Sequence, residues 1–200
     1  MTLNNHLVEV LTDGRLGSRL LHSFLFVLTL FGFLFSLIFI PFADCPMAMT
    51  IHADLAARHV QSFAGKHDDA PFVLAGDFNI KPTEPVYHYL TTGLMDHDSP
   101  FYPSPKNGME WTPTLEGKLN SAYAALQGKE PDFTNYAQSR DSEPFIETLD
   151  YIFCSPEWKV ERVLEIPDRA DAQGPFPNLD VKEPSDHVLI AADLTHKPEF

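Results

Sequence analysis

Three short motifs at the ends of apolar runs place residues that could do chemistry together: Asp77 and Asn79 in GDFN, Asp150 in LDYIF, and the adjacent Asp186 and His187 in PSDH. Asp and Asn two apart, just past a buried strand, point to the same side and can grip a water and a phosphoryl oxygen together. A carboxylate inside LDYIF is costly to bury without a partner. Histidine is the natural partner, because such a carboxylate orients the ring and favours its charged form. His187, at the start of the last apolar run, is the candidate. Taken singly, each piece also fits a structural role: Asp77 as a turn former, Asp150 as the partner of a lysine, Ser185-Asp186-His187 as a cap before a strand. Their order, with each motif at a strand end, favours a site.

Four apolar runs are needed to carry these groups. PFVLA at 71–75 reads as a short buried strand that ends at GDFN, followed by strands in IETLDYIFC, WKVERVLEI and HVLIAADL. Upstream, TIHADLAARHVQSFAG predicts a helix with Thr50 as N-cap, Asp54 complementing the dipole in the first turn, and Gly65 as the stop. Ile51, Leu55, Val60 and Phe63 form its apolar face, with His52 and His59 on the surface. Thr83-Glu84-Pro85 starts a short helix through Leu90, closed by Gly93. From Asp96 to Glu143 the chain is polar and Pro-bearing, with one helix around Leu119–Ala125. A long irregular stretch of this kind is usually functional.

Formal net charge is −14, and the first 45 residues contribute only −1 of it (Glu9, Asp13 and Asp44 against Arg15 and Arg19). A field of this sign opposes sequence-independent binding to long nucleic acids, which relies on Lys and Arg, although a bound divalent cation would invert the local charge. Cys45 and Cys154 show neither CxxC nor zinc-type spacing and read as reduced thiols.

The N-terminal part has a different character. Residues 1–19 form a polar segment, and 24–40, FLFVLTLFGFLFSLIFI, carry no charge. Extended over 20–42, the run matches the thickness of a bilayer and predicts a single transmembrane helix, with Arg15 and Arg19 holding the N-terminus cytosolic. If that segment is not genuine, the expectation is a cytoplasmic protein.

The series GDFNIKP, LDYIF and PSDH before a hydrophobic last strand resembles the endonuclease/exonuclease/phosphatase superfamily, which shares its fold with DNase I. SAYAALQGKEPDFTNYA, and Pro177-Asn178 ahead of PSDH, are similar to the poly(A) deadenylase and nocturnin branch. The resemblance implies an α/β fold: the C-terminal half of a four-layer sandwich with mainly antiparallel sheets, a truncated domain over 49–196. It implies that Asp77 orients or deprotonates the attacking water and that Asn79 holds the scissile phosphoryl group. Asp150 would orient His187, which stabilises charge in the transition state. Asp186 would lie beside a Mg2+ ion (Mn2+ being the alternative), Phe145 would stack on a nucleobase, and Asn178 would help bind substrate.

The implied function is metal-dependent hydrolysis of a phosphoester in a nucleotide or an RNA 3′ end. The competing readings are a phosphatase acting on a small phosphorylated metabolite, favoured by the charge, and a non-catalytic membrane-anchored remnant. The last rests on a departure from the family pattern. No segment before Met49 shows the family's Glu-bearing or second His-bearing strand; Glu9, in HLVEVL, lacks the Gln-Glu context. Low activity is therefore expected.

Overall fold

The computed structural model describes residues 8–12, 45–104, 110–140, 142–178, 180 and 183–197. The apolar run at 24–40 and the span expected over 20–42 lie outside the described residues. Among the described residues, no helix is long and apolar enough to cross a membrane.

The elements are β1 (Val8–Thr12), α1 (Pro46–Gly65), β2 (Val73–Asp77), α2 (Pro85–Thr92), β3 (Asn120–Ser121), α3 (Ala122–Gln127), β4 (Asn135–Ala137), β5 (Phe145–Glu147), β6 (Asp150–Cys154), β7 (Trp158–Val163) and β8 (Ile190–His196). They form two three-stranded sheets, β2-β6-β3 and β1-β8-β7, and a two-stranded ribbon, β4-β5. Every strand pairing is antiparallel except β1 with β8, which is parallel. The expectation of an α/β fold with mainly antiparallel sheets is met.

Strand β6 explains the layering. All five of its residues are buried, and successive side chains face opposite sides. Tyr151 and Phe153 join Leu74, Phe78, Val86, Tyr89 and Leu90 in a core covered by α1 and α2. Ile152 and Cys154 join Trp158, Ile190, Ala192 and Leu194 in a second core between the two sheets, closed by Ala122 and Tyr123 of α3. The described layers are thus helices, sheet and sheet.

Several local expectations need correction. Helix α1 begins at Pro46, so Thr50 is not its cap; buried one turn inside, it donates to the Phe101 carbonyl at 2.8 Å. Proline suits a first helical turn, where its missing N–H costs nothing. Val60 packs as expected, but its companions in the core are Met49, Ala53 and Ala57, while Leu55 and Phe63 are exposed. Alanines let the helix approach the aromatic core closely, which the choice of larger apolar residues missed. Asp54 is fully buried and takes no part in a terminal dipole.

Helix α2 runs from Pro85 and closes at Gly93 as expected. The left-handed φ of 78° at Gly93 suits glycine, and a β-carbon there would strike the Gly117 carbonyl. The run IETLDYIFC divides into β5 and β6 at Thr148-Leu149, and WKVERVLEI ends at Val163 after an irregularity between Val160 and Arg162. Helix α3 starts three residues later than expected, and β8 starts at Ile190 rather than His187. Residues 8–12, read from sequence as part of a polar segment, pair with β8 from Val8↔Ile190 to Thr12↔Leu194.

Candidate active site

The antiparallel register of β2 and β6 sets Asp77 directly opposite Asp150 at the sheet end. Two carboxylates in that position repel each other, and His187 answers both. Its Nδ1 lies 2.7 Å from Asp150 Oδ2 and its Nε2 lies 4.0 Å from Asp77 Oδ2. The imidazole side chain is 12% exposed and that of Asp150 only 5%. The carboxylate inside LDYIF has found the partner expected of it.

Chain entry into this arrangement is fixed on each side. Beyond β2, the Phe78 N–H donates to the Leu149 carbonyl at 2.9 Å, and Phe78 and Ile80 are fully buried. The Tyr151 hydroxyl lies 2.8 Å from the Ile80 carbonyl. Asn79 adopts φ 51°, a left-handed conformation that asparagine tolerates better than most residues. Its N–H donates to Asp77 Oδ1 at 2.8 Å, and its side-chain amide lies 3.4 Å from Asp77 Oδ2. Asp77 and Asn79 therefore meet through a tight turn, not through strand alternation as the spacing suggested. On the other flank, Asn135 of β4 bridges His187, and the Tyr136 N–H donates to the Asp186 carbonyl at 2.8 Å. The His187 N–H donates to Ser185 Oγ at 3.1 Å, which sets the turn of PSDH.

Thr134 is the site residue that sequence reasoning missed. Its buried hydroxyl donates to Asp150 Oδ2 at 2.7 Å and accepts from the N–H groups of Leu149 (2.9 Å) and Asp150 (3.0 Å). One side chain thus fixes both the backbone and the carboxylate of the residue that orients His187. The only signal was a threonine in DFTN, within the segment that carried the family resemblance.

Burial works against a charge on His187, but the hydrogen bond and charge of Asp150, with the charges of Asp77 and Asp186, outweigh it. Its pKa is raised above the ordinary 6.5. With Nδ1–H given to Asp150, the charged ring has a second donor, Nε2–H, on the Asp77 side.

The remaining predicted residues lie further out. Asp186 is half-buried beside His187. Phe145 opens β5 and is 44% exposed. Asn178 serves its own loop, with Nδ2 donating to the Gln173 carbonyl at 3.0 Å and Oδ1 accepting from the Asp180 N–H at 3.0 Å.

Carboxylate oxygens suit a hard divalent cation, and Asp77 and Asp186 offer them. Among the described residues, no group of three or more His, Cys, Asp or Glu side chains is placed to hold an ion. The described donors fit such an ion in type but do not by themselves surround one.

Residues 10–187 match the Endonuclease/Exonuclease/phosphatase family, and the chain belongs to it. Enzymes of this family generally use a divalent metal. The chain is 37% identical over 136 residues to Carbon catabolite repressor protein 4 homolog 4 of Arabidopsis thaliana, covering 64% of this chain and 27% of that protein. It is 32% identical over 145 residues to human 2',5'-phosphodiesterase 12, covering 70% and 22% respectively. It is 33% identical over 139 residues to the CCR4-Not complex 3'-5'-exoribonuclease subunit Ccr4 of Aspergillus fumigatus, covering 65% and 18%. These relatives belong to the branch that the sequence motifs indicated. The chain spans less than a third of the length of each.

Proposed function

We propose that this chain carries the phosphoester-recognising part of a metal-dependent hydrolase acting on nucleotides or RNA 3′ ends, with low turnover of its own. The observation that carries the reading is the 2.7 Å contact between His187 Nδ1 and Asp150 Oδ2, with Nε2 turned toward Asp77. A histidine held in this way has its charged form favoured and its ring fixed in orientation, which suits the charge that develops on a phosphoryl group during displacement. Asn79, held at the turn, offers a neutral amide to the same group. Asp77 is placed to orient a water. A divalent ion bound beside Asp77 and Asp186 would supply further charge stabilisation. Two of the relatives' names, a 2',5'-phosphodiesterase and a 3'-5'-exoribonuclease, support a nucleotidic substrate.

Low turnover is proposed because neither the Glu-bearing strand nor the second His-bearing strand of the family is recognisable in the sequence. The test is a magnesium-titrated assay with a short oligo(A) and a small phosphorylated dinucleotide, on the wild-type chain and on His187→Ala, with binding measured in parallel. Both nucleotides should bind, with hydrolysis of neither rising far above the variant. A chain that binds neither, or prefers a phosphorylated sugar, sinks the nucleotide reading. Turnover well above His187→Ala would show that the proposed impairment is wrong.

A further inference from the structure

Lys81 stands two residues beyond Asn79 in GDFNIKP, on backbone that cannot drift. Its N–H donates to Glu84 Oε2 at 3.1 Å, and its neighbour Ile80 is fully buried. Its ammonium lies 3.0 Å from Glu147 Oε1 and 5.5 Å from the centroid of the Phe145 ring. Phe145 and Glu147 are two apart on β5, so they share a face of that strand. Cation, aromatic ring and carboxylate therefore form one patch. It is open: the side chains of Lys81 and Glu147 are 37% and 33% exposed, and Phe145 is 44% exposed.

A chain of net charge −14, with Asp77, Asp150 and Asp186 gathered around His187, repels any phosphate that approaches. Lys81 supplies the opposite sign beside a ring on which a base can stack, and that combination takes a nucleotide: stacking holds the base and the ammonium meets the phosphate. A half-exposed Lys–Glu contact contributes little and is easily exchanged. We propose that Lys81 is a specificity-determining residue, binding a phosphate of the nucleotide whose base lies on Phe145 while Glu147 serves as the counter-ion which that phosphate displaces. The inference rests on the nucleotide reading above and adds the residue that selects for the phosphate.

The test compares binding of adenosine 5′-monophosphate and adenosine to the full chain by calorimetry, without reference to turnover. Lys81→Met should weaken the monophosphate by about twofold to fivefold, as expected for one partly exposed charged contact, and leave adenosine unchanged. Lys81→Arg should retain the preference, Glu147→Gln should tighten the monophosphate, and Phe145→Ala should weaken both ligands. Unchanged monophosphate affinity in Lys81→Met, or an equal loss for both ligands, overturns the role of Lys81 while leaving the nucleotide reading intact. A wild-type chain that binds neither ligand removes that reading and the role of Lys81 with it.

Discussion

Asp54 and Asp150 are both buried carboxylates on regular elements, but their donors differ. Asp54 accepts from the Tyr89 hydroxyl (2.5 Å), the Trp111 indole (2.9 Å) and the Thr114 N–H (3.2 Å), with Arg58 at 3.4 Å. The Tyr89 hydroxyl also accepts from the Leu115 N–H at 2.7 Å, and burial together with Asp54 pushes its pKa well above that of an ordinary phenol. These bonds tie the 111–115 segment to α1. Asp150 is held by Thr134 as firmly, but its other donor, His187, has a second nitrogen directed toward Asp77. Asp54 is gripped from several elements at once, which is architecture; Asp150 is gripped by a histidine that also faces a second carboxylate, the pairing on which the proposed chemistry rests.

That contrast can be broken by experiment. Asp54→Ala strands several buried donors at once and should cost about 3–5 kcal/mol in urea unfolding, leaving nucleotide binding per folded molecule unchanged. If it costs no more than a surface substitution, the architectural role fails. Thr134→Val removes one buried hydroxyl that serves three partners and should cost about 1–3 kcal/mol by the same measurement.

A smaller effect is expected from pH. The fold raises the pKa of His187, so it holds that proton more tightly than the unfolded chain does. The resulting stabilisation is fully present below the unfolded value of about 6.5. It is lost as pH rises through the higher folded value. Urea midpoints across that window should fall for the wild type and stay flatter for His187→Gln, while NMR titration of Asp150→Asn should show the His187 pKa lowered. An unshifted imidazole in Asp150→Asn would mean that the carboxylate does not set its charge. Least of all, Phe145→Ala should alter stability by under about 0.5 kcal/mol, since its ring is largely outside the core.

The legible part of the site was the part written in strand ends. GDFN, LDYIF and PSDH each terminate or begin an apolar run, so their chemistry could be located before any pairing was known, and Asp150 with His187 followed from the cost of burying a charge. Residues defined by tertiary contact were not legible. Nothing local distinguishes Thr134 from any other threonine just before a strand, and Asp54 looks like a first-turn acid until Tyr89 and Trp111, 35 and 57 residues away, are brought against it. The fold behaved likewise. Apolar runs marked β2, β6, β7 and β8 to within a few residues, whereas β3, β4 and the pairing of 8–12 with β8 depend on neighbours remote in sequence. The packing face of α1 was misread because side-chain size, rather than hydrophobicity alone, decided which residues faced the aromatic core.

Strand β6 both divides the two hydrophobic cores and begins with Asp150. Opening it exposes both cores, so its amides belong with the slowest-exchanging hydrogens of the protein, released only on global unfolding. The carboxylate therefore inherits the lifetime of the whole native state. Substitutions that loosen either core should first change how long molecules persist in the folded form, before they disturb the geometry around His187 in those still folded. Any adaptation of this site to a new ligand is then confined to the rim, at β5 and the loops, where side chains can change without shortening that lifetime.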